Sequence, residues 1–209
     1  MRFYKFLPLL VFIYTNIIFA NNYEQEYKIE VLIYKNNVIE TQETFQSLLD
    51  LPKEDIIKLY GDGDINNEYS NFSNISNFFI SLLNGDDVLK SYPKIWFRED
   101  RSIKTLNALE NNILNDEDLN LISSKSWIQT IPNYEDAKFL NHNDLDNKNA
   151  FYIKLYKKRF LHLDLKSFIN QKGNNGIKIF IDKEHRIFNE EIYLFDHPEF
   201  GILFSINKI

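Results

Sequence analysis

The run FYIKLYKKRFLHLDLKSFI, residues 151–169, changes character at almost every residue. Phe151, Ile153, Leu155, Leu161, Leu163 and Leu165 fall on one side of an extended chain. Tyr152, Lys154, Tyr156, Lys158, Phe160, His162 and Asp164 fall on the other. A helix brings together residues three and four apart and cannot sort these two sets, whereas a two-residue repeat can. The segment reads as one strand over 151–165. On that reading Tyr156 and His162 share a side about 20 Å apart, six residues at about 3.3 Å each.

Other segments carry the same signal. EYKIEVLIYKN sets Ile29, Val31 and Ile33 against Lys28 and Glu30, a strand over about 27–35. IKIFI (177–181), EEIYLF and GILFSIN are three more strands, and NQKGNNG is a turn. LNLISSKSWIQTI (119–131) fits helix or strand, and its Trp127, Ile128, Thr130 and Ile131 favour a strand. Ile103, Leu106, Leu109 and Ile113 recur at helical spacing, predicting a helix over 102–114 with Asp100 or Ser102 as its N-cap. Short turns between consecutive strands imply antiparallel pairing. The expected class is α+β: a mostly antiparallel β-sheet of five or six strands with a helix packed on one face. Residues 40–100 are less regular. Pro52 breaks one apolar stretch, 61–77 has loop composition and 78–85 reads as a short helix. They form a variable insertion or a set of long connections after strand 1.

The N-terminus gives an address. Arg2 and Lys5 precede an uncharged apolar run, Phe6 to Phe19, closed by the small Ala20. That is the layout of a secretory signal peptide. The run is shorter than the about 20 apolar residues of a membrane span. Residues 1–20 are therefore expected to be a signal peptide and 21–209 a single domain, with no stable membrane anchor after cleavage. An uncleaved N-terminal anchor is the alternative. With no Cys in the chain, disulfides, a thiolate nucleophile, Cys-ligated zinc and a lipid-modified Cys are excluded. Removing Arg2 and Lys5 from 24 basic residues leaves 22 against 30 acidic ones, a net charge of −8. That balance argues against nucleic acid as a partner and against a polybasic membrane patch.

Motifs that carry chemistry are scarce. His142, His162, His185 and His197 lack metal-ligand spacing. DGDINNEYSNFS begins like a calcium loop, but Asn67 stands where the sharp turn needs Gly and Ser73 where a bidentate Glu is needed. No G-x-S-x-G elbow or Gly-rich phosphate loop is present. No metal site, cofactor or catalytic residue is expected. Glu135, Asp136, Asp144, Asp146, Glu190 and Glu191 offer carboxylates, but a glycosidase needs two at a fixed separation. Surface solvation is the simpler account of them.

Two features remain. Tyr156, Arg159, Phe160 and His162, with Tyr193 if its strand is a neighbour, are candidate ligand-binding residues. Lys154 and Lys158 lie among them. Aromatic rings pack on sugar faces, and basic groups meet carboxylates. The preferred alternative is that these rings pack beneath the 102–114 helix. DHPEFG is a connector between two strands. Pro198 biases His197 to extended geometry, Asp196 can accept local backbone N–H groups, Gly201 suits a bulge or a close backbone approach, and Phe200 can fold inward. Asp196 and His197, adjacent on an extended chain, point apart and do not make a dyad.

The order of motifs resembles the CsiV family of Gram-negative periplasmic proteins. The likeness runs through YKIEVLIYKN, then SIKTLNALENNIL, then LISSKSWIQTI with Trp127 and Gln129. It continues in KKRFLHLDL, Arg159 to Leu165, and ends in Asp196 to Gly201, its most specific element. It covers about residues 26–35 and 102–209. Ser124 departs from it where the family usually has His, and Phe160 where it has Tyr. The resemblance implies a periplasmic, non-enzymatic peptidoglycan-binding protein that supports cell-wall synthesis and cell shape. Its implied partners are peptidoglycan, a penicillin-binding protein and that protein's lipoprotein activator. The rival classes are a cell-wall hydrolase using paired carboxylates and a pure protein-interaction module without glycan affinity.

Overall fold

A computed structural model describes residues 25–38, 49–53, 56–59, 97–170 and 177–209. All of the expected turn NQKGNNG but Asn170, most of the 40–100 segment and the N-terminal 24 residues lie outside those described residues.

Ten described strands fall into two sheets of five. They are β1 (Glu26–Asn36), β2 (Ile56–Lys58), β3 (Phe97–Glu99), β4 (Leu119–Thr130) and β5 (Phe139–Asn143), then β6 (Ala150–Lys157), β7 (Leu161–Ile169), β8 (Ile179–Ile187), β9 (Glu191–His197) and β10 (Phe200–Lys208). One helix, α1 (Asn107–Asn115), sits between β3 and β4. The first sheet has the order β3-β4-β1-β10-β9 and the second β2-β5-β6-β7-β8. Every pairing is antiparallel except that of β2 with β5. The α+β class, the antiparallel pairing and the helix on one face stand as expected, with the strands divided between two layers.

The layers share one core. Ile29, Val31, Ile33, Phe200, Ile202, Phe204 and Ile206 of the first sheet meet Phe151, Ile153, Leu155, Leu163 and Leu165 of the second. Trp127 is fully buried and stacks on Phe151 across the gap, centroids 6.3 Å apart. Its indole N–H donates to Gln129 Oε1 at 2.7 Å, which satisfies a polar atom that burial would otherwise strand. Each such side chain contributes about 1.5–3 kcal/mol by leaving water. A chain without disulfides has this core to rely on.

The other side of β1 holds α1. Alternate residues Glu26, Lys28 and Glu30 each fix part of the segment leading into the helix. Glu26 pairs with Arg98 at 3.0 Å. Lys28 Nζ reaches Asp100 at 2.9 Å and Ser102 at 2.8 Å. Glu30, with no exposure, accepts the backbone N–H groups of Lys104, Thr105 and Leu106. The helix thus starts later than residue 102, and a strand carboxylate serves its entry instead of Asp100 or Ser102. Asp100 instead accepts the Ser102 N–H. Leu109 and Ile113 of the helix, with Ile103 and Leu106 from the segment that leads into it, pack against Leu32 and Leu203.

The 151–165 segment corrects the reading of one strand. β6 and β7 form a hairpin around Lys158, Arg159 and Phe160, with Lys157 opposite Leu161. A loop of odd length between paired residues keeps odd positions opposite odd and even opposite even. The alternation therefore runs through the turn without a break, and nothing in KKRF marks it.

Candidate functional site

The hairpin and β8 build an outward face on the second sheet. Tyr156, His162 and Arg186 stand opposite one another across three strands, as do Lys154, Asp164 and Glu184, and then Tyr152, Lys166 and Asp182. The sequence thus lays three rows across the sheet, each mixing residues from three segments.

The first row is aromatic and cationic. The rings of Tyr156 and His162 stack with centroids 5.1 Å apart and planes 6° from parallel. The expected separation of about 20 Å along one strand is overturned by the hairpin. Tyr134, on the loop after β4, meets Tyr156 edge-on at 5.0 Å. The loop is fixed there by the Lys157 N–H, which donates to Pro132 O at 2.8 Å. At the other end Arg186 lies between two rings, 3.3 Å from the Phe160 centroid and 4.5 Å from that of Phe188. Arg159 also approaches Phe160, at 5.4 Å. Tyr134, Phe160 and Phe188 are 45 %, 37 % and 46 % exposed, whereas Tyr156 is buried.

Tyr156 is not covered by α1, which packs on the other sheet. Tyr134 and His162 flank it, and the Lys158 ammonium lies 5.1 Å from its centroid. Its phenol donates to Glu184. Burial, reinforced by Glu184, pushes that phenol well above the usual tyrosine range, so it stays a neutral donor. Burial also raises Asp164, against the opposing pull of Lys166.

Tyr193 does not join the row. β9 lies in the first sheet, and the Tyr193 phenol accepts the Phe188 N–H and donates to Glu191, each at 2.6 Å. Burial first, and Glu191 second, push it up to about 12. Its place in the face is to hold Phe188. Tyr134, Arg186 and Phe188 were missing from the sequence-based candidates. The alternation of Arg186 with Phe188 was visible, but the strand order that sets them beside Phe160 was not.

The DHPEFG connector is a two-residue turn, Pro198 and Glu199, between paired His197 and Phe200. His197, not Asp196, stitches it: His197 Nδ1 accepts the Glu199 N–H at 3.1 Å. Asp196 faces out on β9 while His197 and Phe200 are buried. Asn36 anchors the turn by donating its backbone N–H to Glu199 O and its amide to Pro198 O, each at 2.9 Å. Gly201 serves a close approach, with the Tyr34 ring against it. These residues build the scaffold.

Among the described residues no three His, Asp or Glu side chains converge as metal ligands would, and no helix is long and apolar enough to cross a membrane. A cavity of about 20 Å³ beside His142, Asp144 and Asn149 has room for a water, not a sugar.

The geometry defines an open surface of rings and cations, suited to a flat, polar, partly anionic ligand. A family model described as "Peptidoglycan-binding protein, CsiV" matches residues 5–209. The chain belongs to that family of peptidoglycan-binding proteins. No curated protein and no solved structure matches the chain. Ser124, where the family usually has His, stands opposite Leu32 in the first sheet, away from the aromatic face.

Proposed function

We propose that the protein is a non-enzymatic, periplasmic peptidoglycan-binding protein that engages the wall through the outer face of the second sheet. It is exported by a cleaved signal peptide, and residues 21–209 form one domain. The observation that carries the site is the exposure of Tyr134, Phe160 and Phe188 beside Arg186, Lys154 and Lys158. Sugar C–H faces pack on such rings, and the cations attract carboxylates. Tyr156 and His162 support the rings from beneath, Arg159 adds charge at the rim, and Tyr193 positions Phe188. Support for cell-wall synthesis then runs through a penicillin-binding protein and its lipoprotein activator, with the wall-bound protein as an adaptor.

One observation favours a second reading, a hydrolase. Asp164 and Glu184 face each other directly across β7 and β8, and a hydrolase of this kind needs two carboxylates placed side by side. Against it, Glu184 is engaged by the Tyr156 phenol and the pair lies on a sheet face. Pull-down of residues 21–209 with purified sacculi, followed by analysis of the supernatant, separates the readings. Binding without release of muropeptides is the expected result. Release that disappears with Asp164→Asn or Glu184→Gln supports the hydrolase.

A further inference from the structure

Lys166 and Asp182 stand directly opposite each other, and their side chains close an ion pair at 2.7 Å. Lys154 and Asp164 stand opposite each other in the same way on β6 and β7, yet among the described residues Lys154 makes no ion pair. Its ammonium instead lies over Tyr134, 4.3 Å from the ring centroid. Lys158, from the hairpin turn, reaches the same ring at the same distance, and it too has no ion pair among the described residues. The two ammonium groups are therefore no further apart than twice that distance. They repel each other, and a ring face attracts each of them less than a carboxylate would. The chain as a whole is acidic, −6, so a local gathering of cations with no carboxylate at ion-pair distance runs against its general charge, Asp164 feeling Lys154 only from further off.

We infer that Lys154, Lys158 and Tyr134 form a subsite for a carboxylate. Resting on the reading above, its ligand is a free carboxylate of the short peptides attached to the glycan strands, while Phe160, Arg186 and Phe188 meet the sugars. An anion between the two ammonium groups relieves their repulsion and takes two charge-assisted hydrogen bonds. Asp164 and Glu184, which follow Lys154 in its own row on the next two strands, repel the same anion and confine it to the Tyr134 side. The protein would then distinguish peptide-bearing wall from bare glycan.

The test uses the wall in three forms: native sacculi, sacculi with carboxylates amidated, and the glycan strands freed by enzymatic removal of the peptides, with the lactyl carboxylates so exposed amidated in turn. Wild-type residues 21–209 are expected to bind native sacculi about tenfold more tightly than either treated form at low salt, with the difference shrinking as salt rises. Lys154→Gln with Lys158→Gln is expected to bind all three forms alike, at the level wild type shows for amidated sacculi. Amidation tests the ligand with unaltered protein, so a double variant that fails to fold leaves the experiment decisive. Equal binding of wild type to native and amidated sacculi overturns the subsite while leaving the peptidoglycan reading in place. Absence of binding to any form overturns both.

Discussion

The Tyr34 ring lies against Gly201, its partner on the neighbouring strand, so closely that any side chain on Gly201 would collide with the phenol. Room, and not backbone conformation, demands glycine here, because Gly201 sits in regular strand. Gly201→Ala should cost about 1–3 kcal/mol as an overpacking change. Tyr34→Ala in the same chain should recover much of that loss. A double-mutant cycle by urea unfolding measures the coupling, and strictly additive costs would refute it.

Tyr156 and Phe160 should separate stability from binding. Tyr156→Ala empties a buried position beneath Tyr134 and should cost about 3–5 kcal/mol. Phe160→Ala removes a ring that is 37 % exposed. It should change stability by about 1 kcal/mol or less while weakening sacculus binding several-fold. Thermal melts and pull-downs on the two single variants check both halves.

Acidification should loosen the His197 hairpin. Burial lowers the His197 pKa, and Nδ1 accepts the Glu199 N–H, a bond that a protonated Nδ1 cannot make. The folded state therefore holds this proton less readily than the unfolded chain. The stabilisation is fully present above the ordinary imidazole value of about 6.5 and is lost as pH falls through the lower folded value. Urea midpoints at about pH 7 and about pH 5 should differ more for wild type than for His197→Gln. Parallel slopes would contradict the assignment.

Glu30→Ala should be among the most damaging changes in the first sheet. It leaves the buried N–H of Leu106 and the part-buried N–H groups of Lys104 and Thr105 without their acceptor. The buried donor alone costs about 1–3 kcal/mol, and the other two add less where water reaches them, so a loss of at least about 1–3 kcal/mol is expected. Circular dichroism should show the helical signal diminished before the global transition.

Elements with a strong local period were legible in the sequence. β1 falls where alternation placed it, β4 and β10 fall where their strand-favouring residues did, and Leu109 and Ile113 of the expected helical stripe lie within α1 while Ile103 and Leu106 precede it. The β6–β7 turn was not legible, because three residues without Gly, Pro, Asn or Asp kept the alternation in phase. That miss turned a row along a strand into a row across strands, while the strand order, equally silent in the sequence, drew in Arg186 and left Tyr193 in the first sheet. The scaffold role of Asp196–Gly201 was legible, although His197 proved to be the acceptor. Long-range partners such as Glu30 and the entry to α1 leave no local trace.

That last partnership sets a sequence of events. A helix of nine residues, Asn107–Asn115, is shorter than local bonding alone sustains in water. The carboxylate that satisfies its entry lies 74 to 76 positions earlier. The helix can persist only after a loop of that size has closed, a step whose entropic cost must be met first. In refolding, helical signal should therefore trail the burial of Trp127, and α1 should report the completion of its sheet, not the start of it.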